Sequence, residues 1–305
     1  MAFLHTFSIV ARDENSDQIG VAVQTHWFAV GAMCPWIEPG VGAVATQSLV
    51  EVSYGPKGLN LLKAGKNPEE ALEILLKADE NSNVRQVAIL DAEGRIAAHT
   101  GRKCIAEAGH ITGNGFSVQA NMMLKPAVWP AMADAFEKSQ GELAARMLTA
   151  LKAGQKAGGD IRGMQSAAML VADGSSTDEP WNKMIVDIRV DDHPDPILEL
   201  ERLYNIHKAY DFMNEGDELI ARGKSDEANK KYAKASELAP GLIEIPFWEA
   251  VTMANSGRME EALVLFRKIF HEDKNWAELL KRLPASGLLK DDKEMMERII
   301  SAVEG

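Results

Sequence analysis

Cysteine is scarce: Cys34 and Cys104 are the only two in 305 residues. They are too few and too far apart for a disulfide framework or a four-ligand zinc site. The simplest reading makes both of them small buried apolar residues; a reactive thiol is the alternative. Basic residues are outnumbered, 33 Lys and Arg against 45 Asp and Glu for a net charge of −12, and they form no cluster. A nucleic-acid binder needs such a cluster on one face, so nucleic acid is excluded as a partner. No apolar run approaches the ~18 residues of a membrane span. The opening stretch, from Met1 to Glu14, lacks a basic region followed by a long apolar one. No secretory signal is expected from it, and the cytoplasm is the expected location. No GxxxxGK[ST] run occurs, so there is no phosphate loop.

Hydrophobic residues make up 46% of the chain and are spread along all of it. The length exceeds that of a usual single domain. Two domains are therefore expected, 1–205 and 206–305, with the chemistry in the first. The second repeats itself. Gly223-Lys224 aligns with Gly257-Arg258, Ala228 with Ala262 and Tyr232 with Phe266, each pair 34 residues apart. That is the period of a tetratricopeptide repeat, in which small Ala residues let paired helices approach and an aromatic fills the space between them. Over about 209–273 the chain resembles that family. Further helices are expected at Trp276–Leu283 and Asp291–Val303. Such a tail implies either a surface for a protein partner or a packing and dimerisation element.

The first two hundred residues alternate between strand and helix signals. Thr6–Ala11 and Gln18–Gln24 read as a hairpin across a polar turn, and Val41–Gln47 as another strand. Helices are expected at Gly55–Ala64 and Pro68–Ala78, the second opened by Asn67-Pro68-Glu69-Glu70. Strands resume at Arg85–Asp91 and Ile96–Thr100, joined by Ala92-Glu93-Gly94, and a further strand and loop lie within His110–Asn121. Helices over Pro126–Lys138 and Glu142–Ala153 precede strands at Gln165–Ala172 and Met184–Val190. Asp195-Pro196 then starts a helix through about Tyr210. Hairpins imply largely antiparallel sheets, with helices on the outside as the simplest way to bury them.

Several stretches carry a family resemblance: Thr6–Asp13, Gly20–Gln24 with Phe28–Gly31, Gly40–Gln47, Tyr54-Gly55-Pro56, Gly158-Gly159-Asp160 with Arg162-Gly163 and Gln165-Ser166, and Val186-Asp187 with Arg189–Pro194. The chain resembles the bacterial and archaeal family termed domain of unknown function 1028. The resemblance implies an α+β fold like that of the N-terminal-nucleophile hydrolases, a four-layer αββα sandwich. It also implies cleavage of amide bonds as the activity typical of that superfamily.

Thr6 stands where such an enzyme places its nucleophile. A Thr hydroxyl attacks an amide carbonyl while its own α-amine, with a pKa of ~7.7–8, takes the proton. That requires cleavage between His5 and Thr6; an ordinary strand Thr is the alternative. Gln24 and His26 follow the second strand, where supporting groups are expected, although Gln24 stands where an acid is usual. Asp160 and Arg162 in the glycine-rich loop 158–163 could orient a substrate carboxylate or each other. His110 and Asn121 flank Gly-rich loops and could line a pocket or supply oxyanion donors, or simply close turns. Asp191-Asp192-His193 lies in extended chain ahead of Pro194, which turns neighbouring side chains apart, so no metal site is expected there. No cofactor is expected. The expected ligand is an unidentified small molecule or peptide, and a homo-oligomer is plausible through edge strands. Two functions stay open: an amide-bond hydrolase with Thr6 as nucleophile, or a non-catalytic binding or assembly protein that keeps the fold.

Overall fold

The computed structural model describes the backbone of Phe3–Leu4 and all of residues 6–301. The chain divides into two compact units, Met1–Leu203 and Tyr204–Gly305. Among the described residues the first holds eleven strands: β1 (Phe3–Leu4), β2 (Thr6–Asp13), β3 (Gln18–Thr25), β4 (Pro35–Glu38), β5 (Gly42–Leu49), β6 (Arg85–Asp91), β7 (Ile96–Thr100), β8 (Gly109–Gly113), β9 (Phe116–Ala120), β10 (Ser166–Asp173) and β11 (Met184–Val190). Its helices are α1 (Tyr54–Lys63), α2 (Pro68–Lys77), α3 (Val128–Lys138) and α4 (Leu143–Ala157). Helix α5 (Pro196–Ala221) begins in the first unit and ends in the second.

The strands form two sheets. One runs β1-β5-β6-β7 with β4 also paired to β5, and the other runs β11-β10-β3-β2-β9-β8. Every pairing between these strands is antiparallel. Side chains alternate across a strand, and the central strands of each sheet are buried on both faces. Val10, Val21 and Val23 share one apolar cluster with Ala43, Ala45, Ala88 and Leu90 from the facing sheet. On the other face of β5 and β6, Val44, Val87 and Ile89 pack against Leu59 and Leu62 of α1 and Leu72 and Leu75 of α2. The second sheet turns Phe116 onto Phe136 of α3, ring centroids 4.9 Å apart. Gly20 of β3 leaves room for Met147 of α4, whose Cε would lie 2.5 Å from any Cβ there.

Local signals explain the boundaries. Asn67 accepts from the Glu70 amide while Glu70 reaches back to the Asn67 amide, a reciprocal cap that starts α2. Asp195 caps α5 by accepting from the Leu198 amide at 3.1 Å. The short strands β1 and β4 were not expected from the sequence, and two further elements differ from the expectation. His110–Asn121 forms a hairpin of two strands around Asn114-Gly115, where Gly115 takes φ +69°. Helix α5 continues past Tyr210 to Ala221, because nothing breaks it before Gly223 at φ +77°.

The second unit adds α6 (Ser225–Leu238), α7 (Glu244–Asn255), α8 (Met259–Glu272), α9 (Asn275–Arg282) and α10 (Lys293–Ser301). The residues aligned by the 34-residue offset occupy equivalent places: Gly223 and Gly257 are both left-handed at helix junctions, and Ala228, Ala262, Tyr232 and Phe266 are all fully buried. No helix among the described residues is long and apolar enough to cross a membrane.

Candidate functional site

Polar residues interrupt the core at one end of the space between the sheets. Thr6 and Ser8 share the inward parity of Val10 on β2, Gln47 that of Ala45 on β5, and Gln86 that of Ala88 on β6. Ser117, Gln119 and Asn121 have the same parity along β9 and just past it. All seven are at most 1% exposed. Buried polar groups require partners, and these find them in one network. Ser8 Oγ donates to Gln47 Oε1 at 2.6 Å, and Gln119 Nε2 donates to Ser8 Oγ at 2.6 Å. Gln47 Nε2 donates to Gln86 Oε1 at 2.7 Å and to the Thr6 carbonyl at 3.1 Å. Asn121 gives its side-chain amide to Gln86 Oε1 at 2.9 Å and its backbone N–H to the Thr6 carbonyl at 3.1 Å.

Gln86 is the hub. Its Nε2 lies 2.9 Å from the Ala120 carbonyl and 3.2 Å from that of Gly109. Two carbonyl acceptors fix which end of the amide is nitrogen. The same Nε2 lies 2.8 Å from Thr100 Oγ1, which in turn lies 2.8 Å from His110 Nδ1. With Nδ1 unprotonated, the Thr100 hydroxyl accepts from Gln86 and donates to His110; with Nδ1 protonated, it accepts from both. Burial, reinforced by neighbouring His99, lowers the His110 pKa below its ordinary 6.5. A lowered His pKa means the unfolded chain takes up the proton first as pH falls. His110 therefore subtracts stability progressively from about pH 6.5 downward, until its folded form titrates. An NMR titration is expected to put the His110 midpoint below 6.5. His110→Gln is expected to flatten the stability loss between neutral pH and mild acid.

The Thr6 hydroxyl has no hydrogen-bond partner among the described residues, although it is fully buried. Thr6 pairs across the ladder with Thr25, and Gln24 pairs with Phe7. Paired residues in an antiparallel ladder share a face. Gln24 therefore lies on the face of β3 turned to α4, away from Thr6, and both ends of its amide lack partners among the described residues. His26 enters through its backbone: its N–H donates to Asp160 Oδ2 at 3.2 Å. Asp160 and Arg162 orient each other, with Nη2 to Oδ2 at 2.7 Å and Nε to Oδ1 at 3.1 Å. An isolated bridge between Met123 and Asp160 joins their loop to the chain just past Asn121. Thr6, Asn121, His26, Asp160 and Arg162 thus meet at one end of the six-stranded sheet, and His110 joins through Thr100 and Gln86. Sequence reasoning did not assign Ser8, Gln47 or Gln86 to the site. The available signal was glutamine at core parity in strands otherwise rich in Ala, Val and Leu.

Backbone strain gathers at the same end. Among the five described non-glycine residues with positive φ, Ser48 (φ +72°), Glu107 (φ +56°) and Met122 (φ +58°) lie around the network. Residues held there cost of order 1–3 kcal/mol each and gather at functional sites. Elsewhere, a cavity of about 700 Å³ lies between α1 and α2, lined by Tyr54, Leu75 and Asp79 among others, and includes no network residue. One of about 570 Å³ does reach His110, beside Leu72, Lys77 and Ile96.

The family model described as a family of unknown function, DUF1028, matches residues 6–200, and the chain belongs to that family. The crystal structure of protein SPO2555 from Silicibacter pomeroyi, assigned to the same family, is similar to this chain. The two are 33% identical with a TM-score of 0.59, over 66% of this chain and 88% of that one. No curated protein matches the chain.

Proposed function

We propose that the first unit is an amide-bond hydrolase of the N-terminal-nucleophile type, with Thr6 as its nucleophile and a small molecule or peptide as substrate. The observation that carries this reading is the state of Thr6. It heads a central strand, its carbonyl is gripped by Gln47 and Asn121, and its hydroxyl is uncommitted. The order helix, sheet, sheet, helix agrees with the four-layer sandwich of that superfamily. In the reaction the Thr6 oxygen attacks the amide carbon, and the α-amine of Thr6 takes the hydroxyl proton and passes it to the leaving amine. Water then cleaves the resulting ester. The amine exists only after the His5–Thr6 bond is broken, and His5 lies outside the described residues.

One observation favours the alternative of a non-catalytic binding or assembly protein. The chain ahead of Thr6 is itself a strand, Phe3 pairing with Leu49 and Leu4 with Ser48. In either case the second unit serves as a tetratricopeptide-like repeat for partner binding or dimerisation. Intact mass and amino-terminal sequencing of purified protein separate the two readings. The hydrolase reading expects chains that begin at Thr6, with amidase activity abolished by Thr6→Ala. Material that retains His5 throughout would end it.

A further inference from the structure

Thr6 is fully buried, and its hydroxyl has no partner among the described residues. No substrate reaches such a group unless something beside it leaves. The segment placed to leave is the chain directly ahead of it, its leader. Phe3 pairs with Leu49 and Leu4 with Ser48, antiparallel, on the edge of β5 that faces away from β6. The rest of that edge is engaged elsewhere. Strand β4 pairs with Gly42–Ala45, and the Thr46 N–H donates to the Cys34 carbonyl at 3.1 Å. Ser48 and Leu49 are the stretch that the leader covers.

This stretch is held from behind. Arg85, 4% exposed, donates through Nη1 to the Leu49 carbonyl and pairs through Nε with Asp79 at 2.7 Å. Arg85 also lies opposite Ser48 in the ladder with β6. Gln47, the preceding residue, donates to the Thr6 carbonyl at 3.1 Å. Consecutive residues of one strand therefore hold both the nucleophile and its leader. An edge stripped of its partner presents backbone N–H and C=O groups that template another extended chain.

The carbonyl that Thr6 must attack to free its own amine is the one joined to its nitrogen, at the end of the leader. A substrate carbonyl has to reach the same hydroxyl. We infer that the leader is a substrate surrogate. Once His5–Thr6 is cleaved it leaves Ser48 and Leu49, and the acyl side of the substrate, an extended peptide, pairs there in its place. The inference rests on the amide-hydrolase reading and names its substrate class. In the intact chain the same pairing keeps Thr6 closed.

The test measures binding by intact chains, so that it does not depend on processing at Thr6. All the proteins carry Thr6→Ala, and the probe is the leader sequence as acetyl-Ala-Phe-Leu-His-amide. A tethered leader competes at an effective concentration of roughly millimolar. The parent is therefore expected to bind the probe about tenfold or more weakly than a chain carrying Phe3→Pro and Leu4→Pro, since proline cannot donate to a ladder. Phe3→Gly with Leu4→Gly keeps the N–H groups but loosens the leader. That chain is expected to fall between the two, and it carries the test where the proline chain does not fold. N-methylation of the probe at its Phe and Leu is expected to weaken binding by about tenfold, the worth of one or two main-chain hydrogen bonds. A probe that binds all the chains equally, binds none of them, or is indifferent to N-methylation overturns the inference. Leader-dependent binding by a protein that never cleaves His5–Thr6 would leave the peptide slot standing and remove the nucleophile. Chains that begin at Thr6 and cleave amides, with no binding of the probe by either opened chain, would do the reverse.

Discussion

Gln86→Leu is expected to destabilise the first unit by about 2–4 kcal/mol, although leucine is close to glutamine in size. The side chain is fully buried, and its removal leaves its polar neighbours behind. Asn121 Nδ2 and Gln47 Nε2 lose the shared acceptor Oε1. The carbonyls of Gly109 and Ala120 and the Thr100 hydroxyl lose the donor Nε2. A buried polar group stripped of its partner costs roughly 1–3 kcal/mol, more than the net worth of the bond itself. Some neighbours keep second partners, as Gln47 keeps the Thr6 carbonyl at 3.1 Å, which holds the total below a sum over all five. In urea the midpoint should fall with an unchanged slope, since the surface exposed on unfolding is the same. A shift worth less than about 0.5 kcal/mol would show that the inter-sheet network is not cooperative. Gln86→Glu separates packing from bonding: it keeps the shape and replaces a donor by an acceptor facing two carbonyls.

The network also marks where sequence reasoning reached and where it stopped. Strands and helices were legible because their signals are local. The reciprocal cap at Asn67 and Glu70, the Asp195 cap and the hairpin at Ala92-Glu93-Gly94 each depend on a few adjacent residues. The short strand β4 was not legible, since Pro35–Glu38 shows no alternation and owes its conformation to pairing with Gly42–Ala45. Thr6, Asn121, Asp160 and Arg162 could be picked from motifs, and they do lie at one end of one sheet. The hub at Gln86 could not, because it meets Asn121, 35 positions away, only when the two sheets face each other. Gln24 shows the converse. Parity alone separates it from Thr6: pairing with Phe7 turns it to the helices, and the Thr6 face of β3 is carried by Thr25 and Val23. Gln24 is buried there with neither end bonded among the described residues, on the opposite face of the sheet from the Thr6 hydroxyl.

In the second unit the largest effect is expected from Phe266→Ala. Phe266 is fully buried in α8. Its ring stacks on Phe270 at 5.4 Å and meets Phe247 of α7 edge-on at 6.2 Å. Truncation removes a whole ring between two helices that can close only partly, at a cost of about 3–5 kcal/mol. The lost aromatic contacts add ~0.5–1.5 kcal/mol beyond area. Against the ~5–15 kcal/mol stability of a typical domain, that is enough to melt α7 and α8 locally. Hydrogen exchange should show it: amides of Glu244–Glu272 lose protection while those of β2 and β3 keep theirs. The residue aligned with it at the 34-residue offset allows a sharper comparison. Tyr232 is equally buried and packs beside Gly216, where any Cβ would lie 2.6 Å from its ring. Its hydroxyl also donates to Asp217 Oδ1 at 2.7 Å, an oxygen that Thr252 shares at 3.0 Å. Tyr232→Phe therefore removes only that hydrogen bond, at about 1–2 kcal/mol, and Tyr232→Ala should match Phe266→Ala. If both alanine variants lose protection across the whole span from α6 to α8, these helices unfold as one cooperative unit. Loss confined to the mutated pair would mean that each helix pair carries its own stability, as in a stack with weak interfaces.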